Sequence, residues 1–178
     1  MENKEILFEN RHVRDKDTLK EVYKHEYFGK TIDKVALILI LVALVLQTAL
    51  SIWEYVATGY WFMDYKIMGI LIVFPVVFYL VYRMTVKTTL KRDIELFGKP
   101  LSGVTKVTCD SIITEAEFAG NTETGLDKIK CAHQTKNLIL VRTKARLIFI
   151  FRKDGFSIGT KEDFVAFLKN KGIKVRGK

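Results

Sequence analysis

Two long runs of uncharged, mostly apolar residues constrain this chain more than any other feature. Residues 35–52 contain no charged side chain over 18 positions, and residues 67–82 contain none over 16. At 1.5 Å per residue, a helix over the first run is about 27 Å long, close to the roughly 30 Å hydrocarbon core of a bilayer. We therefore expect a transmembrane helical hairpin at 35–82, with spans at about 35–52 and 67–82 and a loop at 53–66.

The second run is short for a span, at about 24 Å, and a buried core helix is the alternative interpretation. A span is favoured because Trp61, Phe62 and Met63 extend the run outward. The run also ends in Tyr79 and Tyr82, which suit the aromatic belt at a membrane surface.

The distribution of charge predicts the orientation of the hairpin. The net charge is +9, and residues 83–178 hold 20 basic and 10 acidic residues, whereas the loop holds Lys66 against Glu54 and Asp64. Lysine and arginine accumulate on the cytoplasmic side of membrane proteins. We therefore expect a multi-pass protein of the cell membrane, with both termini cytoplasmic and the loop outside.

The flanks of the hairpin divide into three segments. Residues 1–34 form a cytoplasmic segment with a short amphipathic helix at about 18–29, where Thr18 and Glu21 have the spacing of a capping box. Residues 83–98 continue the second span as an amphipathic helical extension that ends at Gly98 and Pro100. Residues 99–178 form a cytoplasmic domain.

The hydrophobic pattern of this domain predicts strands followed by a helix. Alternation of period two begins near Val104, and two continuous apolar runs at 138–141 and 147–151 favour central strands of a hairpin. Thr160 is a typical N-cap, and Gly172 suits the position after a helix. The expected fold class is a membrane α-helical hairpin plus an α+β domain, with an antiparallel sheet of about five strands closed by a C-terminal helix.

Several short features of the domain resemble the YcxB-like family of small bacterial membrane proteins. They are Leu126 and Ile129 leading into a strand, the strand at 138–141, the return strand starting at 145–148, and Asp163-Phe164 at the last helix. The sequence departs from the family at two positions. Members often carry an aromatic residue where this chain has Leu126, and a proline where it has Phe151. The resemblance implies a cytoplasmic domain similar to a pleckstrin-homology fold, and it implies no activity.

No residue pattern indicates catalysis or a cofactor. No histidine has another histidine or a cysteine at i+3 or i+4, and no C-x-x-C occurs. The residues concerned are His12, His25, His133, Cys109 and Cys131. Glu115 and Glu117 share one strand face, which is typical of an outward polar surface rather than of acid–base chemistry. No nucleotide-binding or nucleophile motif is present. We therefore expect no catalytic residue, metal or cofactor, and no enzyme activity.

One group of basic residues is a candidate binding site. Arg142, Lys144, Arg146, Arg152 and Lys153 fall on and around the predicted central hairpin. A solvated basic face, contact with anionic lipid headgroups and contact with a protein partner are the competing interpretations. Nucleic acid is disfavoured, because exposed aromatic residues do not alternate with these cations.

The sequence therefore predicts a membrane-anchored, non-enzymatic binding or regulatory module. The second hypothesis is an accessory subunit whose hairpin packs against a larger membrane protein.

Overall fold

The structure is a computed structural model that describes residues 5–29, 31–60, 65–116 and 120–177. Trp61, Phe62 and Met63, which extend the predicted second span, lie outside the described residues, as does Glu117. The chain divides into two units. The first comprises the described residues up to Val22 and from Thr89 onward, and the second comprises those of Tyr23–Thr88.

Within the described residues, the elements up to residue 97 are one strand and three helices. They are β1 (Phe8–Val13), α1 (Lys16–Phe28), α2 (Thr31–Thr58) and α3 (Tyr65–Phe97). Eight strands and one helix follow: β2 (Ser102–Val107), β3 (Ser111–Ala116), β4 (Gly120–Gly125), β5 (Ile129–Gln134), β6 (Leu138–Thr143), β7 (Ile148–Arg152), β8 (Phe156–Ile158), α4 (Lys161–Asn170) and β9 (Lys174–Arg176). A short 3-10 turn, Leu126–Lys128, links β4 to β5.

The described strands form the predicted antiparallel sheet of five strands and, in addition, a second sheet of four strands. The first sheet is antiparallel, in the order β4-β3-β2-β1-β8, and the second has the order β7-β6-β5-β9. Only β9 runs parallel to its neighbour, β5, among the described strands. The first sheet is not closed on itself, since β4 and β8 are its edges within the described chain.

The core of the first unit lies between the two sheets and is completed by α4. Thr160 caps this helix by accepting a hydrogen bond from the Asp163 N–H, and Gly172 follows it with a φ of 74°. Phe164 and Leu168 are four positions apart, so their side chains fall on one face of the helix. The buried side chains include Phe8, Val107, Ile112, Ile139, Val141, Phe151, Phe164 and Leu168.

The predicted domain boundary at residue 99 leaves out β1, which lies inside the first sheet between β2 and β8. Phe8 pairs with Val107 on one side, and Glu9 pairs with Ile158 on the other. Asn10 is fully buried, and its side chain both donates to the Arg152 carbonyl at 2.7 Å and accepts from the Arg152 N–H at 2.9 Å. The strand β1, which precedes both long apolar helices, is therefore part of the first unit.

The start of α1 also differs from the expected capping box. Asp15, rather than Thr18, caps the helix, because its carboxylate accepts a hydrogen bond from the Thr18 N–H at 2.8 Å. Glu21 instead accepts two hydrogen bonds from Asn137, at 2.7 and 3.0 Å. The contact joins α1 to the loop between β5 and β6.

Two helices of the described chain are long and apolar enough to cross a membrane, at Val35–Thr58 and Gly69–Phe97, and the second unit contains the first of them and the second as far as Thr88. Only 6% of the most apolar stretch of each is buried, so their side chains are exposed to the surroundings rather than to a protein core. A cluster of aromatic rings packs Tyr27 and Phe28 against Phe78 and Tyr82, with centroids 5.5–6.2 Å apart. The Tyr27 hydroxyl also lies 3.2 Å from the Thr85 hydroxyl.

Candidate functional site

The structure separates the five predicted site residues into two groups at opposite ends of the β6–β7 hairpin. Arg142 is paired with Ile148 at one end, and Leu138 is paired with Arg152 at the other. At roughly 3.3 Å per residue, the four steps from Ile148 to Arg152 are about 13 Å. Arg142, Lys144 and Arg146 are therefore close together, whereas Arg152 and Lys153 are not part of the same cluster.

Arg152 and Lys153 are both engaged within the domain. The Arg152 guanidinium lies 2.9 Å from the Asp154 carboxylate and 3.9 Å from that of Asp15. The hydrogen bond that Arg152 donates to Asp154 is the main reason why the pKa of Arg152 is raised above its ordinary value. The Lys153 ammonium donates to the Thr135 carbonyl at 2.6 Å. These two cations stabilise the hairpin rather than presenting free charge.

Two further lysines join the first group. The Lys144 N–H donates to the Lys128 carbonyl at 2.8 Å, which places the 3-10 turn beside the β6–β7 turn. Cys131 pairs with Arg142, and a bulge between Ile129 and Cys131 leaves Lys130 as the extra residue. We call Lys128, Lys130, Arg142, Lys144 and Arg146 the basic turn cluster.

The basic turn cluster lies in a segment of the chain that contains little negative charge. Asp127 is the one acidic residue in the sequence from 126 to 150. Lys128, Lys130, Lys144 and Arg146 are exposed, and Arg142 is half-buried. The charges of the four exposed residues remain largely hydrated, so they are available for long-range attraction to anions.

The turn that carries the cluster has a defined backbone. The Thr143 N–H donates to the Leu147 carbonyl at 2.9 Å, and the Thr143 hydroxyl accepts from the Leu147 N–H at 3.0 Å. Arg146 has a φ of 68°, in the left-handed region that favours glycine. The side chains of this turn are therefore held on a rigid support.

An open cleft of about 730 Å³ lies along β1 and β2 and is lined in part by His12 and Gly103. The imidazole of His12 covers Gly103, where an added Cβ would lie 3.1 Å from its Cε1 atom. Burial, and then the charge of Arg14, lower the pKa of His12 to about 4. This histidine is neutral at physiological pH, and its buried Nδ1 has no hydrogen-bond partner among the described residues.

The carboxylates of this cleft are paired with cations. Lys106 donates to both oxygens of Glu115, at 2.7 and 2.8 Å, and Asp154 is paired with Arg152. The lining also includes His12 and the hydroxyl-bearing Ser102.

No group of three or more metal-ligating side chains occurs within the described parts of the chain. Burial, followed by the charge of Arg176, lowers the pKa of His133, which lies on the second sheet. Cys109 is exposed and Cys131 is half-buried, and both are free thiols. The histidines and cysteines therefore do not converge on one site.

Sequence reasoning missed Lys128 and Lys130, and it missed the partners of Arg152. Lys128 and Lys130 join the cluster because β5 pairs with β6, which brings positions about 15 residues apart to the same end of a sheet. Predicting that pairing would have identified them. The partners Asp15 and Asp154 belong to the loop before α1 and the turn after β7. The loop that carries Asp15 lies near Arg152 because β1, which precedes the loop, is part of the first sheet.

Neither a protein-family model nor a curated protein sequence matches the chain. The resemblance to the YcxB-like family therefore stays a prediction that rests on the residues quoted above.

Proposed function

We propose that this protein is a membrane-anchored, non-enzymatic binding module whose basic turn cluster contacts anionic lipid headgroups. The observation that carries the proposal is the convergence of Lys128, Lys130, Lys144 and Arg146, all exposed, at one end of the second sheet beside Arg142. A cation near an anionic membrane surface contributes about 1 kcal/mol.

The anchor is the pair of apolar helices. Their side chains are exposed along most of their length, which is costly in water and favourable in lipid. In this proposal both termini are cytoplasmic, where the anionic leaflet lies, and the protein is a multi-pass protein of the cell membrane.

The test uses the full chain, held in nanodiscs of neutral phosphatidylcholine. The nanodiscs are mixed with sucrose-loaded vesicles that contain phosphatidylglycerol, and with neutral vesicles, at two salt concentrations. Co-sedimentation is expected only with the anionic vesicles, and it is expected to weaken at high salt because surface charges are screened.

The matched variants separate the cluster from net charge. Lys144→Gln/Arg146→Gln is expected to weaken binding by roughly tenfold or more, since two cations contribute about 2 kcal/mol. Lys161→Gln/Lys169→Gln removes the same charge from exposed positions of α4 and is expected to have little effect. Equal effects of the two double variants would indicate non-specific attraction and would refute a defined lipid site.

The second candidate function is an accessory subunit of a larger membrane complex. It is supported by the exposure of both apolar helices, of which 6% is buried in the most apolar stretch. A stoichiometric membrane protein retained through detergent extraction and purification would favour this function over the first.

A further inference from the structure

The β6–β7 turn exposes an aliphatic side chain among its cations. Leu147 is 56% exposed, although the next residues along the chain turn into the domain, with Ile148 half-buried and Phe149 buried. It directly follows Arg146, and Lys144 lies three positions before it. An apolar side chain bordered by cations matches the boundary of a membrane, where headgroups lie above acyl chains.

The backbone of the turn does not depend on the Leu147 side chain. Its N–H and carbonyl are both bonded to Thr143, at 3.0 and 2.9 Å, and the Arg146 N–H donates to the Thr143 carbonyl at 3.1 Å. The turn is therefore held without a contribution from the leucine side chain. A different residue could occupy the position without loss of the turn.

The conformation of Arg146 points to the same surface. A non-glycine residue with a φ of 68° is less favourable than glycine at that position, and such residues accumulate at functional sites. The turn nevertheless carries arginine there. The cation is retained at a position where glycine would fit the backbone better.

We propose that Leu147 inserts between anionic headgroups, while Lys144 and Arg146 bind the phosphates on either side of it. This inference rests on the proposed function, and it adds an apolar contact to the electrostatic one. It selects a bilayer surface over a free phosphate, because a soluble anion gains nothing from the leucine.

The nanodisc assay separates the two contributions. Leu147→Ser is expected to weaken binding to phosphatidylglycerol vesicles by roughly tenfold, the factor that follows from burying about half of a leucine side chain. Its salt dependence is expected to match that of the unmodified protein. The matched control is Ile158→Ser, which removes an aliphatic residue that is 42% exposed on β8, and it is expected to bind normally.

A depth measurement provides a second readout. In a Cys109→Ser/Cys131→Ser background, an environment-sensitive fluorophore is attached through Leu147→Cys or through Ile158→Cys. Vesicles carrying a nitroxide near the top of the acyl chain are expected to quench the probe at 147 and not the probe at 158. Quenching at 147 is expected to disappear with Lys144→Gln/Arg146→Gln.

The possible outcomes distinguish this inference from the proposed function. Normal binding of Leu147→Ser, with no quenching at 147 but a loss of binding in Lys144→Gln/Arg146→Gln, overturns insertion and leaves headgroup contact standing. If none of these variants alters binding, both proposals are overturned. Quenching at 147 together with weaker binding of Leu147→Ser supports insertion.

Discussion

Arg146 combines an exposed cation with a backbone conformation in which glycine is more stable. We predict that Arg146→Gly raises the free energy of unfolding by up to about 1 kcal/mol, because glycine adopts a positive φ without steric cost. The same substitution is expected to weaken vesicle binding. Thermal unfolding in detergent and the nanodisc assay measure the two effects.

Opposite changes in stability and binding would show that the side chain serves a ligand. Lys144→Gly is the control, because Lys144 has no positive φ, and it is expected to lower both quantities. A loss of stability in Arg146→Gly would instead mean that the arginine supports the turn itself.

Asn10 is the polar residue that ties the two sheets together. Its amide makes both hydrogen bonds to the backbone of Arg152, in a fully buried position. We predict that Asn10→Ala lowers the free energy of unfolding by about 2–3 kcal/mol, since a backbone donor and an acceptor lose their partner. Denaturant titration measures this, with the exposed Asn121→Ala as a control that should change little.

The lowered pKa of His12 leads us to predict that the folded protein loses stability on mild acidification. Its pKa is about 4 in the folded protein and about 6.5 when unfolded, so between these values only the unfolded chain binds the proton. Stability is therefore expected to fall as pH decreases from about 6.5 to about 4, by at most about 3 kcal/mol.

The variant His12→Gln isolates this contribution. It is expected to flatten the pH dependence of the unfolding temperature in that range, and His133, whose pKa is also lowered, accounts for a remaining slope of the same sign. Asp154 keeps its charge there, because its hydrogen bond to Arg152 lowers its pKa. An unchanged slope in His12→Gln would contradict the assignment.

The sequence revealed part of the candidate site because its members are close along the chain. Arg142, Lys144 and Arg146 occupy one short segment, and the turn keeps them together. Arg152 is also near in sequence, but an extended strand carries it about 13 Å away. The spacing of residues along the sequence does not show that Arg152 lies apart from the other cations. It also does not show that Lys128 lies beside Lys144, which depends on a backbone hydrogen bond between them.

Among the helices and strands, those with a strong local sequence pattern were predicted correctly, and those with a weak pattern were missed. The two long apolar helices and α4, with its Thr160 cap, are confirmed. The residues of β4, Gly-Asn-Thr-Glu-Thr-Gly, contain no apolar side chain, so no alternation marks them as a strand. The strand β9 has only three residues, which is too short for a pattern of alternation. It is a strand because it pairs with β5.

The position of β1 predicts the behaviour of a fragment. A fragment of residues 99–178 lacks the strand between β2 and β8, together with Phe8 and Asn10 of the core. We predict that it shows no cooperative unfolding transition and poor dispersion of its amide NMR signals.

Restoring the strand is the control for that fragment. Fusing residues 5–22 to its N-terminus through a flexible linker is expected to recover a cooperative transition, whereas the same fusion with Asn10→Ala and Phe8→Ala is not. A fragment that folds alone would show that β1 is dispensable.

For the whole molecule, the proposed orientation predicts which residues react from which side. Cys109 is exposed in the domain, and Tyr60 is exposed at the described end of the segment after α2. A membrane-impermeant maleimide is expected to modify Cys109 only in inverted vesicles. In a Cys109→Ser background, Tyr60→Cys is expected to react only in intact cells, and modification of both from one side would contradict a hairpin with cytoplasmic termini.

The central place of β1 also has a consequence for biosynthesis. About 90 residues separate β1 from β2, so at roughly 5–20 residues per second the ribosome takes about 5–20 s to deliver its partner. Both apolar helices emerge within that interval. A nascent chain whose helices insert with the two flanks on opposite sides of the bilayer would leave β1 permanently unpaired. In the proposed orientation, completion of the sheet therefore reports correct insertion, and chains that fail expose an unpaired strand that proteases can recognise.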